Sequence, residues 1–233
     1  MNNLLICTSA LLLLLCWWNR NDLPADISLL PELASDPLQS RASRAGFDVS
    51  FNGVDYAITP QYDYELYGLV VSFRHHDGNS RMHRQSNDHL NMLDVCVLWG
   101  DTAASPHLNE INFWNGIFTC NVQTRDQVAW NAFDIYELSN NHLISDDRRL
   151  REKVRDIRIG DQIRVRGYLA SYASANGGKR GTSTTRLDTG DGACETIYLR
   201  DFDIVRKAGN YWRRGMYVSL LIHFIRPYRP HKN

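Results

Sequence analysis

IRIGDQIRVRGYLASY, residues 157–172, is the stretch whose reading decides the fold. Ile157 and Ile159 precede a Gly160-Asp161 turn, and Ile163, Val165 and Leu169 then alternate with Arg164, Arg166 and Tyr168. A period of two marks a strand with one face in a core and one in water. Gly167 takes an inward position, where a missing side chain lets the strand bend or another backbone come close. A second alternating run, TIYLRDFDIV at 196–205, lies beyond a loop rich in Gly, Ser and Thr. The two read as strands of one small β-barrel.

Upstream, DVSF-NG-VDYAI places Asn52-Gly53 between two alternating segments, the strongest short-range hairpin signal. Residues 64–74 (YELYGLVVSFR), 94–99 (DVCVLW) and 117–122 (IFTCNV) read as further strands, with 100–110 as a loop. Val128, Phe133, Ile135 and Leu138 sit among polar residues, so 125–138 is expected to be helical. Ser145 is a plausible N-cap for a helix over 146–154, with Asp146 and Asp147 in its first turn and Arg151 and Lys153 in its last. Strands, then helical material, then two strands around a long loop define a mainly β, α+β chain. The expected architecture over 45–207 is a small OB-like β-barrel (oligonucleotide/oligosaccharide-binding type) with helical insertions. GDQIRVRGYL also looks like the GDxVxVxGxL strand of such barrels, a short pattern that speaks for fold alone.

The chain's ends differ from its middle. Residues 4–18 (LLICTSALLLLLCWW) carry no charge and end in a tryptophan pair. A cleaved signal peptide wants a positive start and a small-x-small site, and a lipoprotein wants small residues before its cysteine, where Leu13–Leu15 precede Cys16. An uncleaved anchor over 1–22 fits best, since Trp17 and Trp18 suit the membrane–water interface. Residues 23–44, punctuated by Pro24, Pro31 and Pro37, read as a polar tether with a short helix. Residues 208–233 read as a basic, membrane-proximal segment: MYVSLLIHFI (216–225) lies between Arg213, Arg214 and Arg226, Arg229, Lys232. Ten residues cannot cross a bilayer as a helix, so membrane contact at the interface is expected there.

The formal net charge is zero, which argues against nucleic acid as partner. The zero hides a pattern: residues 1–147 hold 7 basic against 18 acidic residues, and 148–186 hold 11 against 3. Such asymmetry means either an anionic partner or acidic and basic parts packed on one another. The five cysteines contain no CxxC, so no zinc spacing is legible. Cys96 and Cys120 fall in strand-like segments and either form one disulfide in an exported domain or stay as two buried thiols.

Two segments could carry chemistry. RHHDGNSRMHRQSNDH (74–89) holds His76, His83 and His89 with Asp77 and Asp88, all residue types that bind zinc, without HExxH or other module spacing. A metal site there would use His76 with His83 or His89 and support metal-assisted hydrolysis; the bland alternative is a solvated loop. The second is KRGTSTTR, 179–186, whose Lys179, Arg180 and Arg186 could join Arg164, Arg166 and Tyr168 in a basic, ligand-binding face. It lacks P-loop order, and no motif for a cofactor or for a Ser or Cys nucleophile is present.

YDYELYGLVVSFRHHD, FWNGIFTC, LSNNHLI, IGDQIRVRGYLASY and RGTSTTRLDTGDGACE together resemble a family of uncharacterised bacterial membrane-associated proteins, mostly Gram-negative. The resemblance implies hydrophobic segments near both ends and no assigned activity, so it supplies no catalytic residues. The expectation is a non-catalytic binding or interaction module at the bacterial inner membrane with a periplasmic domain. Its partners would be membrane lipid and another membrane or envelope protein. A metal-dependent hydrolase using the 75–89 segment and a basic anion- or nucleic-acid-binding face stand as alternatives.

Overall fold

A computed structural model describes residues 2–24, 27–76, 88–175, 178–185, 187–188 and 194–224. The chain is mainly β, with helices at its ends and in its connections. Its longest element is β3, Val54–His75, a 22-residue strand that touches most of the others. β1 (Leu38–Arg41) and β2 (Phe47–Phe51) both pair with it antiparallel, β2 through the Asn52-Gly53 turn, where both residues have positive φ. Towards its end β3 pairs with β4 (Asn91–Leu98), and β4 pairs with β7 (Leu138–Ile144). β7 runs parallel to β10 (Glu195–Arg206), and β10 pairs with β8 (Gln162–Ser174). β8 pairs back onto β3 from Tyr56↔Ser174 to Leu69↔Gln162, so the pairing passes through five strands and returns to its start. Register shifts at Pro60/Tyr62 and Val70/Ser72 let one long strand bend between its partners.

Inside this circuit lie Leu66, Val70, Val95, Val97, Ile163, Val165, Leu169, Ile197, Leu199 and Phe202. α4 (Arg148–Lys153) closes one end with Leu150; Val154 follows it into the same cluster. Asp147, rather than the expected Ser145, caps that helix: its side chain accepts from the Arg149 amide at 2.7 Å, while Ser145 Oγ accepts from the Asp147 amide. Gly167 fulfils the close approach expected of it: a side chain there would collide with the Tyr198 carbonyl. β8 thus matches its alternation for Ile163, Val165 and Leu169. Tyr168 does not stay in water. It is buried under the β2–β3 hairpin, its ring 6.4 Å from that of Phe47, because the outer face of β8 is covered over that half.

Three other expectations are corrected. The expected short helix in the tether is a 3₁₀ turn at Pro31–Ala34, but residues 27–41 are docked on the sheet rather than spacing it from the N-terminal helix. β1 adds to the sheet, Leu33 is buried in a cluster with Leu69, Cys96 and Leu98, and Gln162 bonds the backbone of both Ser28 and Leu30 at 2.8 Å. Residues 125–138 hold only α3 (Gln127–Asn131) and a 3₁₀ turn at Ile135–Glu137. Residues 111–124 form a separate hairpin of β5 (Ile111–Asn115) and β6 (Cys120–Thr124), and α2 (Gly100–Ala103) starts the connection to it. The Cys96–Cys120 disulfide ties β6 to β4.

The termini meet. α1 (Asn2–Trp18) packs along α5 (Tyr211–Phe224). Asn210 Nδ2 donates to the carbonyls of Arg20 and Asp22, Arg213 to that of Arg20, and Gly215 lies against Cys16, so the helices run antiparallel away from the sheet. Gly215 is required by that approach, since a Cβ there would sit 2.8 Å from Cys16 Sγ. Their seam buries Ser9, Cys16 and Ser219, while Leu11, Leu12, Leu14, Leu15, Trp18 and Leu221 face outward and are exposed. No helix among the described residues is long and apolar enough to cross a membrane.

Candidate functional site

The most unusual chemistry in the fold lies on the outer face of β4 and β7. Their register sets Asp94 opposite His142 and Cys96 opposite Asn140, so these four side chains share the face turned away from Val95, Val97 and Leu143. Asp94 is fully buried, with His142 Nδ1 2.6 Å from Oδ1 and His76 Nε2 2.7 Å from Oδ2. Asn91 Nδ2 donates to Oδ1 at 3.0 Å. Burial pushes the Asp94 carboxyl up, but hydrogen bonds and charge from His142 and His76 outweigh it and hold the group well below the usual carboxylate range. A carboxylate so held orients both rings.

The β5–β6 hairpin covers this cluster. Phe118, in its turn, puts its ring 5.9 Å from that of His142 and 6.2 Å from that of His76, and the Arg180 guanidinium lies over it at 4.0 Å. Its backbone is left-handed, with φ of 59°, a conformation that costs a bulky side chain about 1–3 kcal/mol. The Phe118 carbonyl is held there by Asn140 Nδ2 at 2.9 Å, and Cys194 Sγ lies 3.5 Å from the same oxygen. Asn140 Nδ2 also reaches Cys194 Sγ at 3.3 Å. Burial pushes the Cys194 thiol up, opposed by that hydrogen bond.

Beyond Phe118 opens a pocket of about 140 Å3 lined by Tyr56, Asp88, Tyr172, Ser174, Gly178 and the short strand β9 (Lys179–Arg180), which pairs with the end of β8. Tyr172 donates to Asp88 at 2.8 Å, Arg180 lies 3.8 Å from the same carboxylate, and Tyr56 accepts from the His89 amide. Burial beside Asp88 raises the Tyr172 hydroxyl well above its ordinary value, so it stays a donor. The volume suits a ligand the size of about five waters at ~30 Å3 each. A larger, open groove of about 560 Å3 runs past Arg166, Glu65, Asp63, Arg200 and Asp201, where opposite charges face one another.

The residues singled out from sequence divide between these places. Lys179 and Arg180 line the small pocket. Arg164 bonds Asp201 and Asp203, the latter at 2.9 Å, and Arg166 lies 3.7 Å from Glu65; the basic strand face is thus matched by acidic neighbours. Tyr168 is in the core. His76 joins the Asp94 cluster; His89 does not, its backbone amide donating to Tyr56 and its carbonyl accepting from Arg151. His83, Arg186 and Asp77 lie outside the described residues. Among the described residues no three His, Cys, Asp or Glu side chains are arranged to hold a metal ion.

Sequence reasoning missed Asp94, Phe118, Asn140, His142 and Cys194 as one group. The available signal was LSNNHLI, in which Asn140, Asn141 and His142 interrupt an apolar run and are all buried. A buried polar run in a central strand has to be hydrogen-bonded by its neighbours. Comparison of the chain with protein-family models, curated proteins and solved structures found no match.

Proposed function

We propose that this chain is a membrane-tethered binding module, an OB-like barrel carried on its paired terminal helices, with its ligand pocket beside Phe118. The observation that carries the tether is the inverted packing of α1 and α5. Serine, cysteine and glycine fill the seam while leucines and tryptophans face outward. In water the hydrophobic effect favours the reverse arrangement; in lipid, small residues let helices approach and large apolar ones meet the acyl chains. At ~1.5 Å per residue, 17 residues of α1 reach about 25 Å, against a hydrocarbon core of ~30 Å, so the pair enters the bilayer as a short hairpin.

The closed five-strand circuit supports the OB-like reading, with α4 inserted before β8. In such barrels the segments joining the strands border the ligand, and the pocket lies between Asp88 and the Gly178–Arg180 segment. The Cys96–Cys120 disulfide supports an oxidising compartment, hence a periplasmic domain on the bacterial inner membrane. The partners are then bilayer lipid and another envelope protein.

Flotation with phospholipid vesicles tests the tether. The full chain, removed from detergent, is expected to float with the lipid; a chain that stays soluble and monomeric at the bottom of the gradient overturns it. For the pocket, Arg180→Ala and Tyr172→Phe are expected to weaken capture of envelope components by the full chain, with Arg164→Ala unchanged.

A further inference from the structure

No ladder joins the β5–β6 hairpin to the main sheet: among the described residues its two strands pair only with each other. A two-stranded hairpin alone is marginal in water, so its place depends on what pins it. The pins are the Cys96–Cys120 disulfide, Ser72 Oγ donating to Asn115 Oδ1 at 2.6 Å, Arg74 reaching the Gly116 carbonyl, and Asn140 on the Phe118 carbonyl. Apolar contact is added by Phe113, against the cluster of Leu69, Cys96 and Leu98. Beneath the tip are two imidazoles, a carboxylate, the Asn140 carboxamide and the Cys194 thiol. Asn140 is buried, and its Oδ1 has no hydrogen-bond partner among the described residues. A cover over such a floor satisfies it incompletely and holds its own aromatic residue in a disfavoured conformation.

We infer that the hairpin is a redox-latched cover: the Cys96–Cys120 disulfide holds Phe118 over His76, Asp94, His142 and Cys194, and reduction lets the hairpin lift and opens that floor to a small hydrogen-bonding ligand. The inference rests on the proposed binding reading only for what enters; the latch stands or falls by itself. Cys120 is half-buried and Cys96 fully buried, so Cys120 Sγ is the sulfur that an incoming thiolate reaches. A dithiol reductant attacks it, the S–S bond breaks, and Cys96 leaves as a thiolate that takes a proton. The reductant's second thiol then displaces Cys120 from the mixed disulfide. The reductant gives up two electrons and two protons and becomes a disulfide, and the chain gains two thiols. Released from Asn140, Phe118 can return to an extended backbone.

Cys194 reports on the latch because the cover lies against it. The test is the rate at which iodoacetamide alkylates Cys194 in the detergent-solubilised full chain, followed by peptide mass. Cys96→Ser/Cys120→Ser is expected to react at least tenfold faster than the oxidised wild type, and dithiol-reduced wild type likewise until it is reoxidised. Amide exchange read in parallel is expected to speed up in β5 and β6 while β8 and β10 stay slow. Equal alkylation rates overturn the latch. So does fast exchange throughout the sheet, since the disulfide would then be a staple of the whole fold. Neither readout uses a ligand, so failure of the binding reading leaves this result unaffected, and the reverse.

Discussion

The sheet and the helix pair solve the same packing problem in opposite ways. In the sheet, Leu66, Val165 and Phe202 are inside and Arg164, Arg166 and Asp203 face out. In the helix pair, Ser9, Cys16 and Ser219 are inside and Leu11, Leu14 and Trp18 face out. On the proposed reading the two arrangements arise because the two regions meet different solvents. The sheet is built for water, and the helices, on the proposed reading, for lipid. Arg20 and Arg213 mark the border, both engaged at the base of the helices through the Trp17, Arg20 and Ile159 carbonyls.

Substitutions can sharpen or break that contrast. Asp94→Asn carries the largest expected effect, about 3–5 kcal/mol of domain stability, because it strands two imidazoles in a site built around a buried charge. Urea unfolding monitored by domain fluorescence measures it, and a loss below 1 kcal/mol would mean that the cluster is not held as described. The same carboxylate fixes a pH dependence. Its folded pKa is depressed, so the stability it contributes is complete above about pH 5 and is lost as pH falls through the ordinary carboxylate range towards the folded value. The wild type is expected to lose urea resistance over that interval and Asp94→Asn to lose much less.

Ser219→Leu comes next. It inserts a large side chain into a fully buried small-residue seam and is expected to cost about 1–3 kcal/mol, confined to the helix pair. Helix amide exchange in detergent should rise while sheet exchange is unchanged. Arg164→Ala is the smallest, at most about 1 kcal/mol, since its partners Asp201 and Asp203 are solvent-exposed in part and such pairs contribute little.

What was legible in the sequence follows from how local each signal is. The β2–β3 turn, the alternation of β8 and β10, and the helix after Ser145 depend on near neighbours, and each stands within a few residues of its expected place. β7 was invisible because Asn140, Asn141 and His142 are buried by partners far away in sequence: Asp94, Phe118 and Cys194. Tyr168 was misplaced for a related reason, since alternation gives a side chain's face and says nothing of what folds over it. Arg164 and Arg166 read as part of a basic face because only the register with β10 and β3 supplies Asp203 and Glu65 opposite them. His76 reads as a metal ligand within its own segment, whereas the carboxylate it faces, Asp94, comes from β4.

The contrast between the two regions is tested most directly at the outward face of α1. In a chain with Cys7, Cys16 and Cys194 changed to serine, Leu14→Cys places one thiol on that face, where Leu14 is 63% exposed. The proposed tether predicts that in native membranes this thiol resists a charged, lipid-impermeant maleimide from both sides and reacts once detergent is added. Prompt labelling in intact membranes, or a chain recovered free of membrane altogether, would contradict it.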